Sequence, residues 1–249
     1  MSTKLSIIDG HAHINELKNL AEEFDRAKRA GVKAIIGVGM EVESNRRIME
    51  IAREYPGFVV PAIGYHPWEI REEEIERTLA FIEENIAGCV ALGEVGVDYK
   101  AKMKKPIQRR VFGEIVKIAN RYDKPLILHC RYSHQRVFSM ILEGGIRRAV
   151  FHWYNASLEL LQEIVSSGYY VSATPALRYS PPHQEAMKEA PIGRILVETD
   201  CPVSFGGKES RPSDVVVTVE ELARIKGMPV AEVAEATFRN SVDFYKLPL

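Results

Sequence analysis

Residues 5–13 read LSIIDGHAH: an apolar run through Leu5, Ile7 and Ile8, then Asp9, His11 and His13 at alternate positions. Apolar runs of the same kind recur at KAIIGVG (33–39), FVVPAIGY (58–65), CVALGEVG (89–96), PLILHC (125–130), RAVFHW (148–153), YYVSAT (169–174) and RILVETD (194–200). They are nearly continuous in Val, Ile, Leu and Ala rather than alternating with polar residues. Strands of a parallel sheet covered by helices on its faces have this composition.

Longer amphipathic stretches separate the runs. NELKNLAEEFDRAKRAG (15–31) carries apolar residues at 17, 20, 21, 24 and 27 and stops at Gly31, a helical stripe with a C-terminal glycine. The stretches at 44–57, 75–88, 108–125, 157–168, 213–227 and 229–245 read as helices in the same way. Eight strands alternating with helices over 249 residues predict an α/β fold, a (β/α)8 TIM barrel in a single domain, 1–249. A doubly wound open sheet is the second choice. No G-x-G-x-x-G or G-x-x-x-x-G-K-S/T turn supports a nucleotide fold.

Composition narrows the class. A net charge of −1 gives no global basic field, so attraction to nucleic acid has to come from a local patch or from bound metal. The three cysteines, Cys89, Cys130 and Cys201, form no C-x-x-C pair, and all are expected to be reduced, with Cys130 and Cys201 in the core. That points to a cytoplasmic setting. No signal peptide is visible, and no apolar run approaches the roughly 18–20 residues of a membrane span. Nothing in the sequence implies a membrane or an obligate protein partner.

In a barrel of this kind, chemistry sits at the C-terminal ends of the strands. Five of the seven histidines (11, 13, 66, 129 and 152) fall there, with Glu94 and Asp200. One H-x-H pair fits an ordinary loop as well as a metal site, and a lone His129 or Glu94 fits a hydrogen-bonded core position. Together they converge on one face. Imidazole and carboxylate suit Zn²⁺, Mn²⁺ or related ions. His11 and His13, two apart on a strand, would face one side and grip one ion. Glu94 would bridge to a second ion, held by His129 and His152. Asp200 would ligate the first ion and accept a proton from water. Two ions about 3.5–4 Å apart would result. Asp9 is expected to orient His11 or His13 from behind. His66 and Arg131 are candidate phosphate binders, Arg131 alternatively pairing with Glu198 or Asp98. Tyr65, Trp68, Tyr99, Trp153 and Tyr154 could stack on bases or simply pack. The basic run KAKMKKPIQRR (100–110) could meet a nucleic-acid backbone or form a solvated helix face.

The motifs resemble those of the TatD-type metal-dependent hydrolases, a branch of the amidohydrolase superfamily. IDGHAH corresponds to the family's D-x-H-x-H start and IGYHPWEI to its G-I/Y-H-P segment. ALGEVGVDY corresponds to G-E-x-G-L-D, with Val97 for the usual leucine. KPLILHCR, VFHWY and LVETDCP correspond to the H-x-R, H-C/W-F/Y and E-T-D-x-P elements. The resemblance spans nearly the whole chain. It implies a TIM barrel, two divalent ions (Zn, Mn or Mg) on His11, His13, Glu94, His129, His152 and Asp200, and catalysis centred on Asp200 and Glu94. It implies a deoxyribonuclease of the 3′-to-5′ exonuclease or phosphodiesterase type, acting on single-stranded or frayed DNA. The alternative is an ester, lactone or amide hydrolase on a small substrate. Two departures touch the substrate side. VSFGGKESRPSDV (203–215) lacks the asparagine of the family's R-N-x-P loop, and Trp153 stands where many members carry cysteine.

Overall fold

A computed structural model describes residues 5–249; the first four residues of the N-terminal stretch read above for a leader lie outside the described residues. Eight parallel strands stand side by side in sequence order. They are β1 (Ile7–Ala12), β2 (Val32–Val38), β3 (Val59–Ile63), β4 (Ala91–Asp98), β5 (Leu126–Arg131), β6 (Ala149–Phe151), β7 (Tyr170–Ala173) and β8 (Ile195–Val197). The ring closes where Asp200 N–H donates to His11 O at 2.9 Å and His13 N–H donates to Cys201 O at 2.8 Å. The fold is the (β/α)8 barrel.

Helices α1 (Leu20–Ala30), α2 (Val42–Glu54), α3 (Ile75–Asn85), α4 (Lys105–Arg121), α5 (His134–Glu143), α6 (Leu158–Ser166) and α7 (Pro181–Glu189) join successive strands, and α8 (Val215–Lys226) and α9 (Val230–Tyr245) follow the last. The apolar stretches at 15–31 and 157–168 become α1 and α6, trimmed by their caps, and 44–57 becomes α2, which starts two residues earlier behind Glu41 and ends at Glu54. Gly31 ends α1 with φ +98°, and the Ser157 hydroxyl accepts from Leu160 N–H at the start of α6. Helices α5 and α7 were not among the expected ones. Helix α7 opens on Pro181–Pro182, which reads as a loop, yet proline fits the first turn, where an N–H has no partner. Residues 203–212 also hold a short hairpin, β9 (Ser204–Phe205) with β10 (Lys208–Glu209). No helix among the described residues is long and apolar enough to cross a membrane.

Two apolar layers explain the unbroken hydrophobic runs. Ile8, Ala34, Ile36, Ala62, Ile127 and Leu196 fill the barrel interior. Ile7, Ile35, Val59, Leu92, Leu126 and Phe151 face the helices. The end of α9 closes the interior from below. Phe244 and Leu247 pack into that inner layer, and Tyr245 Oη donates to Gly10 O at 2.8 Å.

The pairing register slips in two strands, and both slips set functional side chains. On β1 shifts lie between Ile7 and Ile8 and, at the histidines, between Asp9 and Ala12; on β4 the shift lies between Leu92 and Val95. Ala91 packs inside the barrel while Val95 and Val97 pack outside. A regular strand would send Glu94 outward with Leu92, so the extra residue turns it into the barrel mouth. Neighbouring backbone crowds this point. A Cβ on Gly64 would lie 2.6 Å from Gly93 C, and one on Gly96 (φ +149°) would lie 2.0 Å from His129 O.

Candidate metal centre

Glu94 is the hub at the C-terminal mouth of the barrel, 3% exposed. Its Oε2 lies 3.4 Å from His11 Nε2 and 3.2 Å from His13 Nε2. Its Oε1 lies 2.7 Å from His129 Nδ1, 2.9 Å from His152 Nε2 and 3.5 Å from His66 Nε2. Asp200 closes the first group, with Oδ1 3.5 Å from both His11 and His13 Nε2. One carboxylate thus presents one oxygen to each of two clusters. The six residues read from strand ends meet at one place, and His66 joins them. His11, His13 and Asp200 lie close enough to hold a cation together, as do His66, Glu94 and His129.

The outer nitrogen of most of these rings is already engaged. His13 Nδ1–H donates to Val38 O at 3.0 Å. His129 Nε2–H donates to Asp98 Oδ2 at 3.0 Å, and His152 Nδ1–H to Glu198 Oε1 at 3.1 Å. In a neutral imidazole one donor leaves one lone pair, so the inner nitrogens of these rings would face Glu94 oxygens lone pair to lone pair. Positive charge has to sit between them, as protons or as cations. Protonation follows that demand. Burial disfavours charge on His13, but its bonds to Asp200 and Glu94 prevail and raise it to about 10. Burial likewise opposes His152 and His129, yet Glu94 and Glu198 hold the first, and Asp98 and Glu94 the second, above the usual range. Glu94 is itself buried, but the imidazoles around it hold its carboxyl well below the carboxylate range. His11 Nδ1 is buried without a partner among the described residues. Nitrogen and oxygen donors of this kind fit a divalent transition ion.

The remaining candidates divide. Asp9 does not reach the imidazole of His11 or His13. Its carboxylate accepts from Thr199 N–H at 2.9 Å and Thr199 Oγ1–H at 2.6 Å, which fastens the turn carrying Asp200. The orienting carboxylates are Asp98 and Glu198, at the ends of β4 and after β8; only their place at strand ends hinted at this. Asp98 also accepts from Trp68 Nε1–H at 2.6 Å and from Lys100 N–H at 2.6 Å. His66 Nδ1 accepts from Trp68 N–H at 3.2 Å, so its Nε2 carries the proton and points at the centre. Burial drives His66 down to about 4, leaving a neutral donor. Arg131 is exposed on the rim. Its alternative expected partners, Asp98 and Glu198, are taken by His129 and His152. Cys130, expected in the core, is half-buried and lines the cleft.

The cleft above the centre measures about 1020 Å³. Trp68 and Trp153 both line it. Tyr65 and Tyr154 are buried in the core instead. Of the basic run, Lys100 lies over the Tyr132 ring at 5.3 Å and Lys105 over Tyr99 at 4.4 Å.

Residues 8–246 match the family model described as TatD related DNase. The chain is 32% identical over 255 residues to an uncharacterized metal-dependent hydrolase, YabD, of Bacillus subtilis (strain 168), covering 97% of this chain and 99% of that one. It is 29% identical over 256 residues to a putative deoxyribonuclease, TATDN3, of Mus musculus, covering 95% and 87%. Among solved structures it is similar to the TatD homologue YJJV of Escherichia coli K12. The TM-score is 0.88 at 27% identity, over 99% of this chain and 100% of that one.

Proposed function

The chain belongs to the TatD-related DNase family, and on that premise we propose that it is a metal-dependent phosphodiesterase hydrolysing single-stranded or frayed DNA ends in the cytoplasm. One barrel domain, 1–249, carries the whole reaction. The observation that carries the reading is Glu94, whose two oxygens face two separate donor groups. His11, His13 and Asp200 would hold one divalent ion, His129 and His152 the other, with Glu94 shared. Charge supports two ions: the carboxylates of Glu94, Asp98, Glu198 and Asp200 would balance two dications around neutral imidazoles. Zn, Mn or Mg would supply Lewis acidity at the attacked phosphorus and lower the pKa of the attacking water.

The chain's own residues do the rest. Burial works against charge on Asp200, but His13 and the neighbouring imidazoles keep its carboxyl below the usual value, ready to act as base. It takes a proton as the water oxygen attacks phosphorus, and as the P–O bond to the leaving sugar oxygen breaks, Asp200 returns that proton to the departing oxygen. His66 Nε2–H and the Arg131 guanidinium bind phosphate oxygens and stabilise the developing charge. Asp98 and Glu198 hold His129 and His152 in the ligating orientation.

The test is an assay of the protein loaded with Mn²⁺, Mg²⁺ or Zn²⁺ on single-stranded DNA beside a panel of esters and lactones. Cleavage of DNA ends with at least one ion is expected. Turnover of esters or lactones without DNA cleavage under any ion would overturn the nuclease reading in favour of a small-substrate hydrolase.

A further inference from the structure

The chain has two tryptophans, and both sit on the cleft mouth. Trp68 leaves the end of β3 with 57% of its surface exposed, an unusual position for the largest side chain. It is nonetheless fixed. Its indole N–H donates to Asp98 Oδ2 at 2.6 Å, and the same oxygen holds His129 Nε2 at 3.0 Å. Its ring meets the His66 ring edge-on, centroids 4.8 Å apart. Trp153, after β6, is tied in a parallel way through its backbone. Its N–H donates to Glu198 Oε1 at 3.2 Å and to Ser172 Oγ at 2.9 Å, and Glu198 Oε1 also holds His152 Nδ1. Its φ of +45° is rare for a bulky residue. The hairpin that departs from the family loop supplies Phe205, which packs on the Trp153 ring at 5.0 Å. Each tryptophan is thus bonded to the acid that orients one histidine of the same cluster, so each keeps a set place relative to the reacting centre.

A rigid aromatic plate in water gains little from solvent and loses little entropy when another flat ring covers it. Nucleobases stack on such plates whatever their sequence. Arg131, on the same rim, has no acid partner among the described residues and can meet the backbone phosphate between stacked bases. A small aliphatic ester would leave both indoles uncovered. Bases inside a duplex are already stacked and paired, so only an unpaired end can use the plates.

Building on the phosphodiesterase reading, we propose that Trp68 and Trp153 are specificity-determining residues. They stack on the unpaired nucleobases flanking the scissile phosphodiester, and so select single-stranded nucleic-acid ends over small esters and over paired ends.

The test compares a single-stranded oligonucleotide with the same strand carrying abasic sugars at its terminal positions, using the metal-loaded enzyme. Wild-type KM is expected to be roughly 10-fold higher for the abasic strand. Trp68→Ala and Trp153→Ala should each raise KM for the base-bearing strand by roughly 10-fold, leave kcat within about twofold, and shrink the abasic penalty. Trp68→Phe keeps a stacking ring but loses the bond to Asp98, and should stay near wild type in KM. Equal KM for the two strands with wild-type enzyme overturns the proposal without needing any variant. So does loss of kcat or of bound metal in the alanine variants with KM unchanged, because the indoles would then act only structurally, Trp68 through its bond to Asp98 and Trp153 through packing on Phe205. Ester turnover with no cleavage of either strand would instead overturn the phosphodiesterase reading, and this inference with it.

Discussion

At the lower end of the barrel Phe244, Tyr245 and Leu247 close the interior, 1%, 3% and 7% exposed, against Ile8, Ala34 and Leu196. At the upper end His11, Glu94 and Asp200 are 0%, 3% and 5% exposed. Burial is equal; the materials are opposite. The lower end removes apolar surface from water and adds hydrogen bonds such as those from Tyr245 to Gly10 O and from Arg148 to Phe244 O. The upper end gathers acids and imidazoles whose desolvation disfavours folding unless charge of the opposite sign stands among them. Stability belongs to the lower end, and the upper end spends some of it on a site that needs cations.

The sharpest break of that contrast is Glu94→Ala. Both donor groups lose their shared oxygens, so activity should fall at least about 1000-fold, beyond the loss from one stabilising group. Metal analysis of the purified variant should find less than one ion per chain. Full occupancy in that variant would end the bridging role.

Phe244→Ala probes the other end. Its ring lies 5.3 Å from that of Tyr170, where β7 begins, and its carbonyl accepts from Arg148 Nη1 at 2.8 Å just before β6. Truncation of a buried phenylalanine costs about 3–5 kcal/mol, so urea melts should shift strongly. The kcat of the folded enzyme should stay within about twofold. A large fall in kcat at temperatures where the variant is folded would show that the two ends are mechanically coupled.

How far each end was readable follows from the same contrast. The eight apolar runs were visible because strands sandwiched between an inner and an outer apolar layer have no polar face. The six clustered residues were visible because polar side chains interrupt those runs at one end. The slips in β1 and β4 were not. A bulge shows in sequence as a break in alternation, and strands buried on both faces have no alternation to break. The partners of the histidines were hidden for another reason. His129 finds Asp98 across 31 positions, from the neighbouring strand, and His152 finds Glu198 across 46, past the intervening β7 at the barrel mouth. Asp9 looked like an orienting group because it is near His11 in sequence, but its carboxylate instead meets Thr199 where β1 and β8 close the ring. The hairpin at 204–209 left no trace beyond glycines in a polar loop.

The gentlest way to separate the two ends is pH. His13 titrates near 10 in the folded metal-free protein and near its ordinary 6.5 when unfolded. Between those values the folded chain holds a proton that the unfolded chain lacks, so unfolding releases a proton and stability falls as pH rises. The stabilisation is complete below 6.5 and gone above about 10, with a slope of at most about 1.4 kcal/mol per pH unit from this group. His152 and His129, also raised, act in the same direction. Glu94 and Asp200, held low, contribute above their ordinary values and lose their share only in acid, outside this window. At the lower end Tyr245 is pushed up well above 10 by burial, so it stays protonated throughout. Denaturant melts of metal-free protein at intervals from pH 6.5 to 10 should therefore show a steady decline. With saturating divalent ion the decline should vanish, since the ions displace the same protons, and a potentiometric titration should record their release on binding. A flat profile for the metal-free protein would mean that the imidazoles are neutral without metal, and that something other than protons already compensates Glu94 and Asp200.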